Sequence, residues 1–296
     1  MDLSICLPLY QQQPYALVQS LLKQAEDLKV EYEILIIDDA SSPEVSEVNQ
    51  QFFAKLSNVR YLVLPHNIGR AKMRNLLASE AKGQFFLSLD ADVYVNKADF
   101  LRSFWSLGQN NTVLIGGIEL GPLQSGCELR WYYAKQRETL SLEKRLENPY
   151  SSFMTGAFFC ERSIFMQLKF DEEIKGYGHE DTLFGFSLRD LKIPLLHIDN
   201  PILIEADDRN IDYLEKSKEA LENLKIVYRK QPHLAKDIKI LQLALNIERS
   251  GFSPIFRALY RTFRKLILQN LLSAKPNLRY FDLYRLNYLL KLKLSQ

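Results

Sequence analysis

Two aspartates, Asp90 and Asp92, stand one residue apart at the end of the apolar run Phe85–Leu89, in the stretch FFLSLDADVYV. Like charges that close repel, and burying them is costly unless something positive lies beside them. A tight turn open to water resolves the conflict, and so does a divalent cation. Hard carboxylate oxygens suit Mg2+ or Mn2+, which keep water and substrate phosphates in their remaining positions. A second acidic pair, Asp38–Asp39, closes the run EILIID and precedes ASSPE. The turn and helix cap needed there are within the means of Ser41 or Ser42, so one acid is left to accept a hydrogen bond from a base or ribose. One such pair is a common turn; two, each ending a core strand, favour a binding site.

Two further clusters carry polar chemistry. NIGRAKMRN sets Gly69 near a helix start with Arg70, Lys72 and Arg74 close by. That pattern suits phosphate at a helix N-terminus with guanidinium groups beside it, although Lys72 fits a solvated helix face better. KGYGHEDTLFGFSL brackets Tyr177 with Gly176 and Gly178, then opens a helix with His179, Glu180 and Asp181. Acids are stabilised at a helix N-terminus by its dipole, so Glu180 or Asp181 can be a simple cap. A carboxylate held there beside a close-approaching glycine loop can equally serve as a general base. His179 fits a spacer better than a ligand.

The elements that must position these groups alternate. SICLPL (4–9), EILIID (33–38), VRYLVL (59–64) and FFLSL (85–89) have no polar alternation, and between them lie amphipathic stretches at 15–28, 41–56 and 69–81. Continuous apolar strands separated by helices imply a mostly parallel sheet covered on both faces. Ligands of such sheets sit beyond the carboxyl ends of the strands, where this chain sets Pro8–Tyr10, Asp38–Asp39, His66–Arg70 and Asp90–Asp92. Further on, TVLIGGIEL is expected as one strand with a glycine pair, SSFMTGAFFCERSIF as strand then helix, and residues beyond 210 as helices. Trp131, Tyr132 and Tyr133 suit stacking on a sugar or ordinary core packing.

The five segments ICLPLY, LIIDDASSPE, HNIGRAKMRN, FFLSLDADVYV and KGYGHEDTLFGFSL, in this order, resemble family 2 glycosyltransferases over about residues 3–208. The resemblance implies an α/β GT-A fold, a Rossmann-like, mostly parallel sheet flanked by helices, with a C-terminal helical extension. It implies domains of 1–210, catalytic, and 211–296, helical and basic. It implies sugar transfer, with inversion, from a nucleotide-sugar donor, UDP-linked, to a glycan or lipid-linked acceptor, as in surface polysaccharide assembly. By position, Pro8 and Tyr10 line the base and Asp39 bonds uracil. Arg70 and Arg74 lie toward the phosphates, Asp90 contacts ribose or sugar, and Asp92 holds Mn2+ or Mg2+ on the diphosphate. Asp181 is the general base and Glu180 assists. Trp131 and Tyr177 are acceptor candidates. The chain departs from the family pattern at Gln11, where Asn is usual, and at Ile204, where a metal-side His is expected; Glu205, Asp207 or Asp208 could compensate.

Composition sets the remaining bounds. The 296 residues are 47% hydrophobic and 25% charged, ordinary for a globular chain, and no run of apolar residues is long enough to span a bilayer. MDLSICLPLY reads as a first strand rather than a signal peptide. Cys6, Cys127 and Cys160 are scattered and odd in number, which suits free thiols in a reducing compartment and a cytoplasmic location. Residues 251–296 carry a net charge of +8 against −6 for the rest. Their basic, amphipathic pattern fits either an anionic membrane surface, with the protein peripheral at its inner face, or a helix packed on the body with its basic side in water. No second basic patch supports nucleic acid. Two rival readings stand beside glycosyl transfer. A sugar nucleotidyltransferase would want a Gly-rich basic loop after the first strand, which LYQQQPYA lacks. The other rival is a weak or inactive sugar-nucleotide or membrane-surface binding protein on the same fold.

Overall fold

The computed structural model describes residues 1–108 and 111–294; the last two residues of the basic tail lie outside it. Along the chain run β1 (Leu3–Leu9), α1 (Tyr15–Glu26), β2 (Tyr32–Asp38), α2 (Pro43–Phe53), β3 (Val59–Val63), α3 (Arg70–Glu80), β4 (Phe85–Leu89), β5 (Val93–Tyr94), α4 (Phe100–Leu107), β6 (Val113–Ile115) and β7 (Ile118–Leu120). Then come α5 (Glu128–Arg137), α6 (Leu142–Glu147), β8 (Ala157–Glu161), α7 (Arg162–Leu168), α8 (Glu180–Asp190), β9 (Leu195–His197) and β10 (Ile202–Ile204). Four helices follow: α9 (Asn210–Lys230), α10 (Lys239–Arg249), α11 (Ser253–Leu271) and α12 (Leu278–Leu292). The chain forms two compact units. One comprises Met1–Glu119, Leu140–Glu172 and Asp181–Glu205; the other comprises Leu120–Thr139, Glu173–Glu180 and Ala206–Gln296.

The first unit is built on a seven-stranded sheet of order β3-β2-β1-β4-β8-β6-β9. β3, β2, β1 and β4 run parallel, β8 is antiparallel to both β4 and β6, and β6 is parallel to β9. The unalternating strand sequences are explained by burial on two faces. Leu3, Ile5, Leu7 and Leu9 of β1 join a core with Leu17, Val18 and Leu21 of α1 and Phe53 of α2. Cys6, between them, faces the opposite core with Leu35, Ile37 and Met73 and Leu77 of α3. All three cysteines are buried.

The stretch expected as one strand, TVLIGGIEL, is cut in two. β6 stays in the large sheet, whereas β7 joins β5 and β10 in a three-stranded one. The glycine pair is the reason. A Cβ on Gly116 would lie 2.1 Å from the Asn200 carbonyl oxygen, and Gly117 takes φ 94° beside the Arg145 guanidinium. Arg145 is 4% exposed and donates to the carbonyls of Ile115, Gly116 and Ile198, and to His197 Nδ1 at 3.1 Å. With Nδ1 accepting and Nε2 facing the Pro149 carbonyl at 2.9 Å, the partners assign the neutral Nε2–H tautomer to His197. Burial, then the neighbouring guanidinium, holds the His197 pKa below its usual range.

The second unit has a helical core. Tyr213 and Leu214 of α9, Tyr260, Ile267 and Leu271 of α11, and Phe281 and Tyr284 of α12 pack with Leu129 of α5. Leu221 and Leu224 of α9 join Leu241 and Leu245 of α10 and Leu289 and Leu290 of α12 in an adjoining cluster.

Gly116→Ala should therefore cost roughly 1–3 kcal/mol of stability, because the new methyl group meets backbone rather than a yielding side chain; a denaturant titration with an unchanged midpoint would contradict the packing. For pH, a histidine pKa depressed by folding gives stability that is complete above the unfolded value and lost as pH falls below it. Melting temperature should accordingly drop between pH 7 and pH 5, by no more than about 1.4 kcal/mol of stability per pH unit per histidine. His197→Gln should flatten that slope without abolishing it, since His179, pushed down to about 3 by burial and then Arg285, acts in the same window. Equal slopes for wild type and variant would count against a neutral His197.

Candidate functional site

The carboxyl ends of β1, β2 and β4 bring the acidic pairs to one edge. In the parallel register Leu9 lies opposite Asp38, and the Asp39 amide donates to the Leu9 carbonyl at 2.8 Å, so Tyr10 and Asp39 leave adjacent strands together. Tyr10 is 53% exposed and Pro8 is half-buried. Gln11 follows in a left-handed conformation, φ 54°, with its amide donating to Ser41 Oγ at 2.7 Å. Asn tolerates that region better than Gln does, a backbone reason for the residue the family pattern prefers there.

The two acids of β2 divide the work. Asp38, fully buried, accepts from the Ser41 amide at 2.8 Å, Ser46 Oγ at 3.3 Å and Tyr61 Oη at 2.5 Å. It is the turn-former; Ser42 caps α2 by position but its side chain makes no capping hydrogen bond. Burial, then the Asp38 carboxylate, pushes the Tyr61 hydroxyl well above its usual range. Asp39, 6% exposed, receives the amides of Ile68 at 2.6 Å and Gly69 at 3.1 Å. It thereby pins the segment that starts α3. A carboxylate has about four acceptor directions, so two bonds leave it capacity for another donor.

Asp90 and Asp92 also part company. Asp90 accepts from Arg74 Nη2 at 2.7 Å, with the Arg74 side chain 3% and the Asp90 side chain 26% exposed. The Arg74 guanidinium lies 5.8 Å from the Phe170 ring centroid. The sequence reading set Arg74 toward phosphate; the structure places it beneath Asp90, while Arg70 and Lys72 are exposed at the start of α3. Ala91 turns inward, and Asp92 stands exposed on the turn into β5. Antiparallel pairing sets Ile204 of β10 opposite Val93, the residue after Asp92.

Among the described residues no three His, Cys, Asp or Glu side chains gather to hold a metal ion. Asp208 is engaged by Lys216 at 2.5 Å, within the other unit. Asp92 is an exposed carboxylate on this edge. That fits a Mg2+ or Mn2+ ion carried largely by substrate phosphates and water, and does not fit a cage made by protein alone.

Asp181 belongs to the same unit as Asp90 and Asp92. Its Oδ1 accepts from the Thr182 amide at 2.6 Å and the Thr182 hydroxyl at 3.3 Å. The helix behind it is anchored by Phe184, whose ring lies 4.6 Å from that of Phe170 and 5.0 Å from that of Phe153. A Cβ on Gly185 would meet the Tyr150 carbonyl at 2.4 Å, so α8 lies hard against that segment.

The loop before α8 belongs to the helical unit, and there the glycines face α9. A Cβ on Gly178 would lie 2.8 Å from the Ala220 methyl, and one on Gly176 would lie 3.0 Å from the Glu219 carboxylate. Asn223, 4% exposed, donates through Nδ2 to the carbonyls of Lys175, Tyr177 and Gly178 at 2.7, 3.2 and 3.1 Å. Sequence reasoning missed Asn223; the signal was an amide between Leu221 and Leu224 on the buried side of α9. Lys216 Nζ lies 5.7 Å from the Tyr177 ring centroid, and Glu180 is 6% exposed. Trp131, half-buried on α5, donates from Nε1 to the Gly121 carbonyl at 2.9 Å, with Lys135 Nζ 4.7 Å from its ring centroid. Tyr133 is partly buried and packs against Tyr213 and Phe281 of the helical core.

This edge offers exposed aromatic surface, an acid with spare acceptor capacity, an ion-paired acid and an exposed acid, all just beyond strand ends. The chain is similar to several known proteins. Poly(ribitol-phosphate) beta-N-acetylglucosaminyltransferase TarS of Staphylococcus aureus is 34% identical over 100 residues, 33% of this chain but only 17% of that protein. An uncharacterized glycosyltransferase of Haemophilus influenzae is 27% identical over 202 residues, covering 66% of this chain and 75% of that one. A structure of GalNAc-T7 with UDP, GalNAc and Mn2+ superposes with a TM-score of 0.54 over 77% of this chain and 47% of that chain. At 20% sequence identity the likeness speaks for the fold. The sequence model of glycosyl transferase family 2 matches residues 4–168, more than half of the chain. The chain therefore belongs to glycosyl transferase family 2, on a GT-A fold.

Proposed function

We propose that this protein transfers a sugar, of the hexosyl or N-acetylhexosaminyl class, from a UDP-linked donor to a hydroxyl of a glycan or lipid-linked acceptor, with inversion at the anomeric carbon. The observation that carries the reading is the grouping of Tyr10, Asp39, Asp90 and Asp92 at the carboxyl edge of a parallel sheet in a chain of this family. Pro8 and Tyr10 offer surface for the base, and Asp39 keeps acceptor capacity for a base N–H. Asp90, held by Arg74, presents a fixed acceptor to ribose or sugar hydroxyls. Arg70, exposed at the α3 N-terminus, is the proposed partner of the diphosphate. Asp92 would hold Mn2+ or Mg2+ on that diphosphate, where the cation offsets the charge of the leaving group.

Asp181 is the proposed base. It takes the acceptor's hydroxyl proton while that oxygen bonds the anomeric carbon, and the carbon–oxygen bond to the diphosphate breaks on the opposite face, releasing UDP. One base and no covalent sugar–enzyme bond suffice for inversion.

The test is UDP release from a panel of UDP-sugars with Mn2+ and Mg2+, alongside donor binding by thermal shift. Asp181→Asn should keep the donor-induced shift and lose turnover by roughly a hundred- to ten-thousandfold. Donor binding with background turnover in wild type and variant alike would favour a sugar-nucleotide binding protein instead.

A further inference from the structure

Helix α11 presents a side that no described part of the chain covers. Phe252, Ile255, Leu259, Phe263 and Leu266 are each more than half exposed. Their spacing of three, four, four and three residues sets them along one stripe of a 3.6-residue helix. The stripe is separate from the side that α11 buries through Tyr260, Ile267 and Leu271. From 253 to 272 the chain carries Arg257, Arg261, Arg264 and Lys265 and no acid. Lys265 precedes Leu266 and Arg264 follows Phe263, so each cation stands about 100° of helix rotation from its neighbour in the stripe, one on either side. Arg257 and Arg261, with Lys293, line a cavity of about 510 Å³ at the N-terminal end of the same helix, which Glu248 also lines.

Charge decides the occupant. A second copy of this chain seated on the stripe through its own α11 would bring four cations against four cations with no acid on either helix to offset them. An anionic bilayer satisfies both halves of the pattern. No helix among the described residues is long and apolar enough to cross a membrane, so the geometry is that of a helix lying in the interface. We infer that α11 docks on an anionic lipid surface, its stripe sunk into the boundary between headgroups and acyl chains. Lys265 and Arg264 run their apolar stems along that boundary and set their charges among the phosphates. This docking stands on the helical unit alone and does not depend on the transferase reading.

Sedimentation of the full chain with vesicles tests it. Vesicles of phosphatidylcholine with phosphatidylglycerol should bind the protein, and vesicles of phosphatidylcholine alone should bind it weakly. Leu259→Ser with Phe263→Ser alters only exposed side chains, so the melting temperature should hold while vesicle binding falls roughly tenfold or more. Arg264→Glu with Lys265→Glu should abolish the preference for phosphatidylglycerol. Failure of the wild type to sediment with the anionic vesicles, or undiminished binding by both variants, overturns the inference. So does a dimer in light scattering that the serine variant dissolves, which would make a second copy the occupant.

Discussion

Four carboxylates, Asp38, Asp39, Asp90 and Asp92, cannot share one sheet edge unless most of their charge is offset. The fold answers with three different devices. Asp38 is absorbed by hydroxyls and a turn amide, Asp39 by two backbone amides, and Asp90 by the buried Arg74 guanidinium. Asp92 is the most exposed of the four. A guanidinium in a site that is itself nearly dry makes removal of either partner far costlier than the net worth of the pair. The same ion pair fixes the rotamer of Asp90 and ties α3 to the end of β4.

The offsets also do positional work. Amides bound by Asp39 start α3 one turn before Arg74, so the two acids are coupled through a single helix. Arg145 plays a comparable part where the sheet divides, gathering three carbonyls and a neutral imidazole around the glycine pair. In both places a buried cation meets acceptors from several segments, and the backbone conformation there follows from satisfying it. Asp181 is held differently: its helix is fixed by stacked phenylalanines, an apolar anchor that leaves the carboxylate end half-buried.

The sheet was legible because its strands are apolar without alternation, and two-sided burial of β1 is the reason. The acids at strand ends were legible for the same reason: they come in pairs that close mainly apolar runs. What could not be read was how each acid is spent. Nothing in LIIDD says that Asp38 will meet Tyr61 from β3, and nothing in NIGRAKMRN says that Arg74 will turn inward, because both depend on partners more than fifteen residues away. The split of TVLIGGIEL needed Arg145 and Asn200, more distant still. Gly176 and Gly178 suggest a loop that approaches a ligand closely, whereas the close contact seen is with α9, known only once Ala220 and Asn223 are seen beside them.

The central claim is the proposal that Asp92, the most exposed of these acids, meets a cation on a bound diphosphate. Calorimetric titration of UDP with and without Mn2+ tests it most directly. The account predicts that Mn2+ tightens UDP binding to the wild type and has little effect on Asp92→Asn, whose metal-free affinity should match the wild type's. An equal Mn2+ effect on both proteins, or none on the wild type, would contradict it.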